Sequence, residues 1–114
     1  MTKKTFDIIF LEAVDDALSS LGESAKQSIY FHLEMNFKLT RSQIPYRFQD
    51  FADGLEKIFG VGARFLEILI MKNLHEKADL NLAWASDKDL VFVEYVTMAK
   101  QNYVKTAKAK PLRM

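Results

Sequence analysis

The chain has 114 residues, 49% hydrophobic and 27% charged, with a formal net charge of +1, which is the composition of one ordinary globular domain. It contains no cysteine, so disulfides, thiolate nucleophiles and cysteine-ligated metal sites are excluded, and the chain suits a reducing cytosol. A domain of this length buries roughly two thirds of the surface its unfolded chain exposes, enough for a core without staples.

Lys3 and Lys4 meet Asp7 before any long apolar stretch, unlike a signal peptide, and the uncharged apolar run Ile68 to Met71 is far short of the ~20 residues of a membrane span. The expectation is a single cytoplasmic domain over residues 1–114 with no membrane partner. Charge is unevenly spread: residues 1–37 carry −3, residues 38–94 carry −1, and residues 95–114 carry +5 with no acid. Residues 105–114 are expected to form a flexible basic tail.

Thr5 is placed to cap a first helix whose apolar positions Phe6, Ile9, Phe10, Ala13, Val14, Ala17, Leu18 and Leu21 recur at three and four, up to Gly22. A second helix, Glu23 to Phe37, turns Ala25, Ile29, Tyr30, Leu33 and Phe37 inward. Thr40 and Gln43 stand in capping-box spacing before Pro45, which predicts a short helical turn. A third helix starts near Arg47, carries Phe48, Phe51, Ala52, Leu55, Ile58 and Phe59 on one side, and stops at Gly60-Val61-Gly62. Gly54 within it costs about 1 kcal/mol relative to alanine.

The fourth helix, Ala63 to about Lys77, carries apolar residues around most of its circumference (Phe65, Leu66, Ile68, Leu69, Ile70, Met71, Leu74), which predicts a central, fully covered helix. After a linker, Ser86 and Asp89 suggest the start of a fifth helix from Asp87 to about Thr106. Its first half is rich in β-branched residues, yet Glu94, Thr97, Gln101, Lys105 and Lys108 form a stripe at helical spacing. The fold class is all-α: a compact bundle of about five helices without a sheet.

Little in the chain points to catalysis. His75 and Asp79 are four apart, but two ligands do not close a metal site. His32 invites comparison with phosphorelay bundles, but Asn36 stands where a lysine is expected and a partly buried structural histidine is the better reading. The acid clusters Asp15-Asp16 and Asp50, Asp53, Glu56 read as solvated helix faces. No phosphate loop, dinucleotide fingerprint or metalloprotease motif occurs, so no catalytic residue, metal or cofactor is expected and the chain is not read as an enzyme.

The segment Leu55 to Leu66, with Gly60-Val61-Gly62 between two helices, resembles the helix-hairpin-helix of DNA-repair and recombination proteins. That resemblance implies phosphate contacts from Gly60, Gly62 and Arg64, to which Lys105, Lys108, Lys110 and Arg113 of the tail would add. Phe59 and Leu66 depart from the family's usual proline and small residue. The favoured reading is plainer: Gly60 ends one helix in left-handed geometry and Gly62 lets the backbones pass closely.

Two apolar helices are hard to cover in so small a domain. Two readings of the fifth carry equal weight: part of it forms an exposed patch, with Val91, Phe92, Tyr95, Val96 and Tyr103 as candidates for binding a protein partner or a second copy, or it simply completes the core.

The segments Phe10 to Leu18 with Leu21 to Ser24, Ile29 to Glu34, Phe65 to Lys72 and Phe92 to Val96 look like a small all-helical archaeal family related to output or interaction domains of archaeal regulatory proteins. The resemblance implies a helical module with no catalytic residues to carry over. The expected function is a noncatalytic regulatory or protein-interaction module; the alternative is a nucleic-acid-binding accessory.

Overall fold

The computed structural model describes residues 5–78 and 91–109, with side chains up to residue 103. Among the described residues the chain is all helical, without a strand: α1 (Phe6–Ser19), α2 (Glu23–Phe37), a 3₁₀ segment (Arg41–Tyr46), α3 (Phe48–Phe59), a 3₁₀ turn (Gly60–Gly62), α4 (Ala63–Ala78) and α5 (Phe92–Ala109). No helix among them is long and apolar enough to cross a membrane.

The starts follow local chemistry. The Thr5 hydroxyl accepts a hydrogen bond from the Ile8 amide at 3.3 Å, satisfying one of the open donors of α1. Thr40 donates its amide to the Gln43 side chain at 2.9 Å, and the two residues form the expected capping box. Gly22, at φ 106°, reverses the chain between α1 and α2.

The core centres on Phe10, whose ring meets Phe6, Phe48 and Phe92 at centroid distances of 6.1, 5.1 and 6.3 Å. Phe92 also lies 6.1 Å from Phe51, so one aromatic cluster joins α1, α3 and α5. The main helix pair is α1 with α4. Polar contacts secure its edge: Asn73 donates to the Ala13 carbonyl at 3.3 Å, and Lys77 pairs with Asp16 at 2.8 Å. On the far side of α1, Arg41 grips Asp15 with two donors while the Tyr30 hydroxyl donates to the same carboxylate, fastening the 3₁₀ segment and α2. Gly54 explains itself here. A Cβ at this position would stand 2.6 Å from a methyl carbon of buried Leu33, so the close passage of α3 over α2 uses the missing side chain.

Three expectations are corrected. α4 is not covered all round: Phe65 is 67% exposed, and Ile68, Lys72 and Glu76 continue the open side. Its neighbours α1, α3 and α5 leave that side uncovered. Conversely, α5 has almost no free apolar patch. Phe92, Tyr95, Val96 and Tyr103 are buried, because α5 lays that face against α1, α3 and α4; Val91 remains exposed. Lastly, the fifth helix runs from Phe92 to Ala109, so its end lies a few residues past the expected Thr106. Ser86, Asp87 and Asp89, the expected start, lie outside the described residues.

Each histidine has a side-chain neighbour. His75 Nδ1 is 3.1 Å from the Tyr95 hydroxyl, linking α4 to α5. His32 is exposed on α2, contrary to the partly buried position expected for it, with Asn36 3.5 Å away. Asp79 lies outside the described residues.

Candidate functional site

The residues singled out in the sequence converge at one end of the bundle. Gly60 ends α3 at φ 61°, ψ −133°, a conformation open to glycine and strained for other residues. Gly62 has no such need. Among the described residues a Cβ there would meet only Phe59 at 3.8 Å, so the expected close backbone passage at Gly62 is not found among them. Between them Val61 is 98% exposed, held out by a 3₁₀ turn that runs directly into α4.

This turn forms one wall of an open groove of about 620 Å³, whose other walls come from α3, the first turns of α4 and the start of α5. Ala52, Ala63, Phe92 and Val93 supply apolar lining, with Val61 and the 54%-exposed Val91 among the residues bordering it. Gln49, Glu56, Arg64 and Glu67 supply the polar groups. Glu67 is the unusual member. It is 7% exposed, the one buried charged residue among those described. Burial raises its carboxyl above the ordinary value, the Glu56 charge raises it further, and Arg64 draws it partly back.

Gly60 and Arg64 of the phosphate-binding candidates line this groove, together with Val91 and Phe92 of the partner-binding candidates; Gly62 belongs to the same turn. Tyr95, Val96 and Tyr103 sit in the core. Lys105 and Lys108 do not join them. Lys105 lies fourteen positions beyond Val91, about 20 Å along α5 at the helical rise. Lys108 is further along the helix, and Lys110 and Arg113 lie outside the described residues. A phosphate entering the groove would meet Glu56 and Glu67 beside Arg64, an unfavourable local balance for an anion.

Glu67 was absent from the sequence candidates, and Glu56 was read as a solvated face. A signal for Glu67 did exist: it shares the register Ala63, Glu67, Ile70, Leu74, whose other members are buried. Three or more histidine, cysteine, aspartate or glutamate side chains placed to hold a metal ion are not found among the described residues. No protein-family model, curated protein or solved structure matches the chain.

Proposed function

We propose that this chain is a noncatalytic protein-interaction module of regulatory type, docking a partner protein in the groove between the α3–α4 turn, α3 and the start of α5. The observation that carries the reading is Val61, 98% exposed on a turn whose backbone geometry holds it in water. A fully exposed valine bordering an apolar-lined groove gains about 1 to 3 kcal/mol when a partner covers it. The resemblance to archaeal regulatory output domains supports the same proposal, and would make the partner a component of a regulatory assembly.

Site-specific crosslinking tests it. A benzophenone amino acid replaces Val61, with Phe31 on the outer side of α2 as control, in cells that naturally express the chain. One protein crosslinked from position 61 and not from 31, lost with Val91→Asp and reproduced with that protein purified, supports the reading. Equal labelling from both positions, or none from 61, overturns it.

Nucleic-acid binding is the second reading, favoured by the strained Gly60 turn and Arg64 at the start of α4. It predicts salt-sensitive duplex binding in fluorescence anisotropy, with Arg64→Ala lowering the logarithmic salt slope by ~0.9. Absence of binding at low salt removes this reading.

A further inference from the structure

We infer that the groove is built to receive an arginine side chain flanked by apolar residues, presented by a segment of the partner protein. The inference rests on the interaction reading above and names the chemistry of its partner.

An ionised carboxylate taken out of water is stabilised by a hydrogen-bond donor or a positive charge, and without one it weakens the fold. Glu67 is more than nine-tenths buried and lines the groove, and among the described residues the charges acting on it are Glu56, which is unfavourable, and Arg64, which offsets it only in part. Glu56 lines the same space from α3, so among the described residues two carboxylates face the groove against one cation, Arg64. The open position is therefore one for a positive group.

The walls choose among cations. Val61 and Val91, both exposed, and half-buried Val93 offer apolar surface beside the carboxylates, which suits a long aliphatic stem ending in a charge. Guanidinium is more weakly hydrated than ammonium and matches a carboxylate with two parallel donors, so arginine fits better than lysine. The raised carboxyl of Glu67 agrees with this: burial disfavours its charge in the free protein, and an incoming cation would restore it.

The test titrates the full chain, labelled with nitrogen-15, with three acetylated and amidated pentapeptides of the form Ala-Leu-X-Leu-Ala. X is arginine, its neutral isostere citrulline, or glutamate. The expected result is saturable shifts of the Glu56, Val61, Glu67 and Val91 amides by the arginine peptide, with at least tenfold weaker binding of citrulline and none of glutamate. Glu67→Gln is expected to abolish the tenfold preference while the chain stays folded by its amide spectrum, and Glu56→Gln to reduce it about threefold.

Equal binding of the arginine and citrulline peptides overturns this inference and leaves the interaction reading standing. Absence of shifts from all three peptides overturns it too, and the crosslinking from position 61 then decides the interaction reading separately. Stronger shifts by the glutamate peptide overturn it in favour of an anion site at Arg64.

Discussion

α4 and α5 exchange the roles their compositions suggest. α4 is apolar around most of its circumference, yet it turns Phe65, Ile68, Lys72 and Glu76 to solvent and buries Glu67. α5 has a polar stripe at helical spacing, yet Phe92, Tyr95, Val96, Ala99 and Tyr103 of its apolar face are buried. The difference lies in the neighbours. α5 presents one broad face, and α1, α3 and α4 together cover it; α4 would need a complete ring of helices, which the described part of the bundle does not provide. Apolar content says how much surface a helix would bury, and packing decides how much it can.

The sharpest test of this contrast is a pair of truncations. Phe92 is 3% exposed and touches the rings of Phe10 and Phe51, so Phe92→Ala should destabilise the fold by about 3 to 5 kcal/mol. Phe65→Ala, on the open side of α4, should change stability by less than about 0.5 kcal/mol. Urea unfolding of the two variants measures both. Similar losses would mean that Phe65 is covered in solution, by a second copy for instance, and sedimentation would then report the dimer.

The turn that launches α4 allows a finer comparison. Gly60→Ala forces a side chain into positive φ and should cost about 1 kcal/mol or more; Gly62→Ala fits in open space and should stabilise by up to about 1 kcal/mol through reduced freedom of the unfolded chain. If both variants lose stability equally, Gly62 has a backbone role beyond this geometry. The link between the helices is of similar size. Tyr95→Phe removes the hydroxyl facing His75 and should cost about 0.5 to 1.5 kcal/mol in the same unfolding measurement. Burial holds that phenol at about 12, so the bond persists across the neutral and mildly alkaline range.

The smallest effect is one of sign with pH. A raised folded value means that native Glu67 holds its proton more tightly than the unfolded chain does. Its penalty therefore appears as pH rises from about the ordinary value of 4.5 and is complete above the folded value. Glu67→Gln should raise the unfolding midpoint near neutral pH and leave it almost unchanged in acid, as read by calorimetry. Asp15 provides the opposite case. Burial pushes its carboxyl up, but the hydrogen bonds from Arg41 and Tyr30 and the Arg41 charge outweigh burial and hold it below 3.8. The stability from Asp15 is present above that value and is lost as pH falls through the folded one. Asp15→Asn should thus lower the midpoint near neutral pH, and this difference should shrink in acid. Together with the arginine preference inferred above, a stabilising Glu67→Gln would mark a carboxylate whose position weakens the free fold and serves binding.

Much of the local structure was legible in the residues. Thr5 before Phe6, Thr40 with Gln43, and Gly60 after Phe59 mark real boundaries, because caps and positive-φ turns are settled by a few neighbouring groups. The groove is legible in the sequence only in fragments: Gly60 and Arg64 belong to the phosphate-contact pattern, Val91 and Phe92 to the apolar face of the fifth helix, and Glu67 to neither. Helical period assigns a residue to a face of its own helix, and which second helix approaches that face depends on contacts between residues far apart in sequence. Glu56 and Glu67 are eleven residues apart and on different helices, so no single helical pattern brings them together.

The sequence by itself determined an all-helical chain, its caps and breaks, and which stripe of each helix is apolar, since these follow from propensity, capping chemistry and a 3.6-residue period. Only the tertiary structure decided that α5 is sealed, that α4 keeps an open side, and that two carboxylates share one apolar groove. Those outcomes turn on how many neighbours a small bundle can place around each helix.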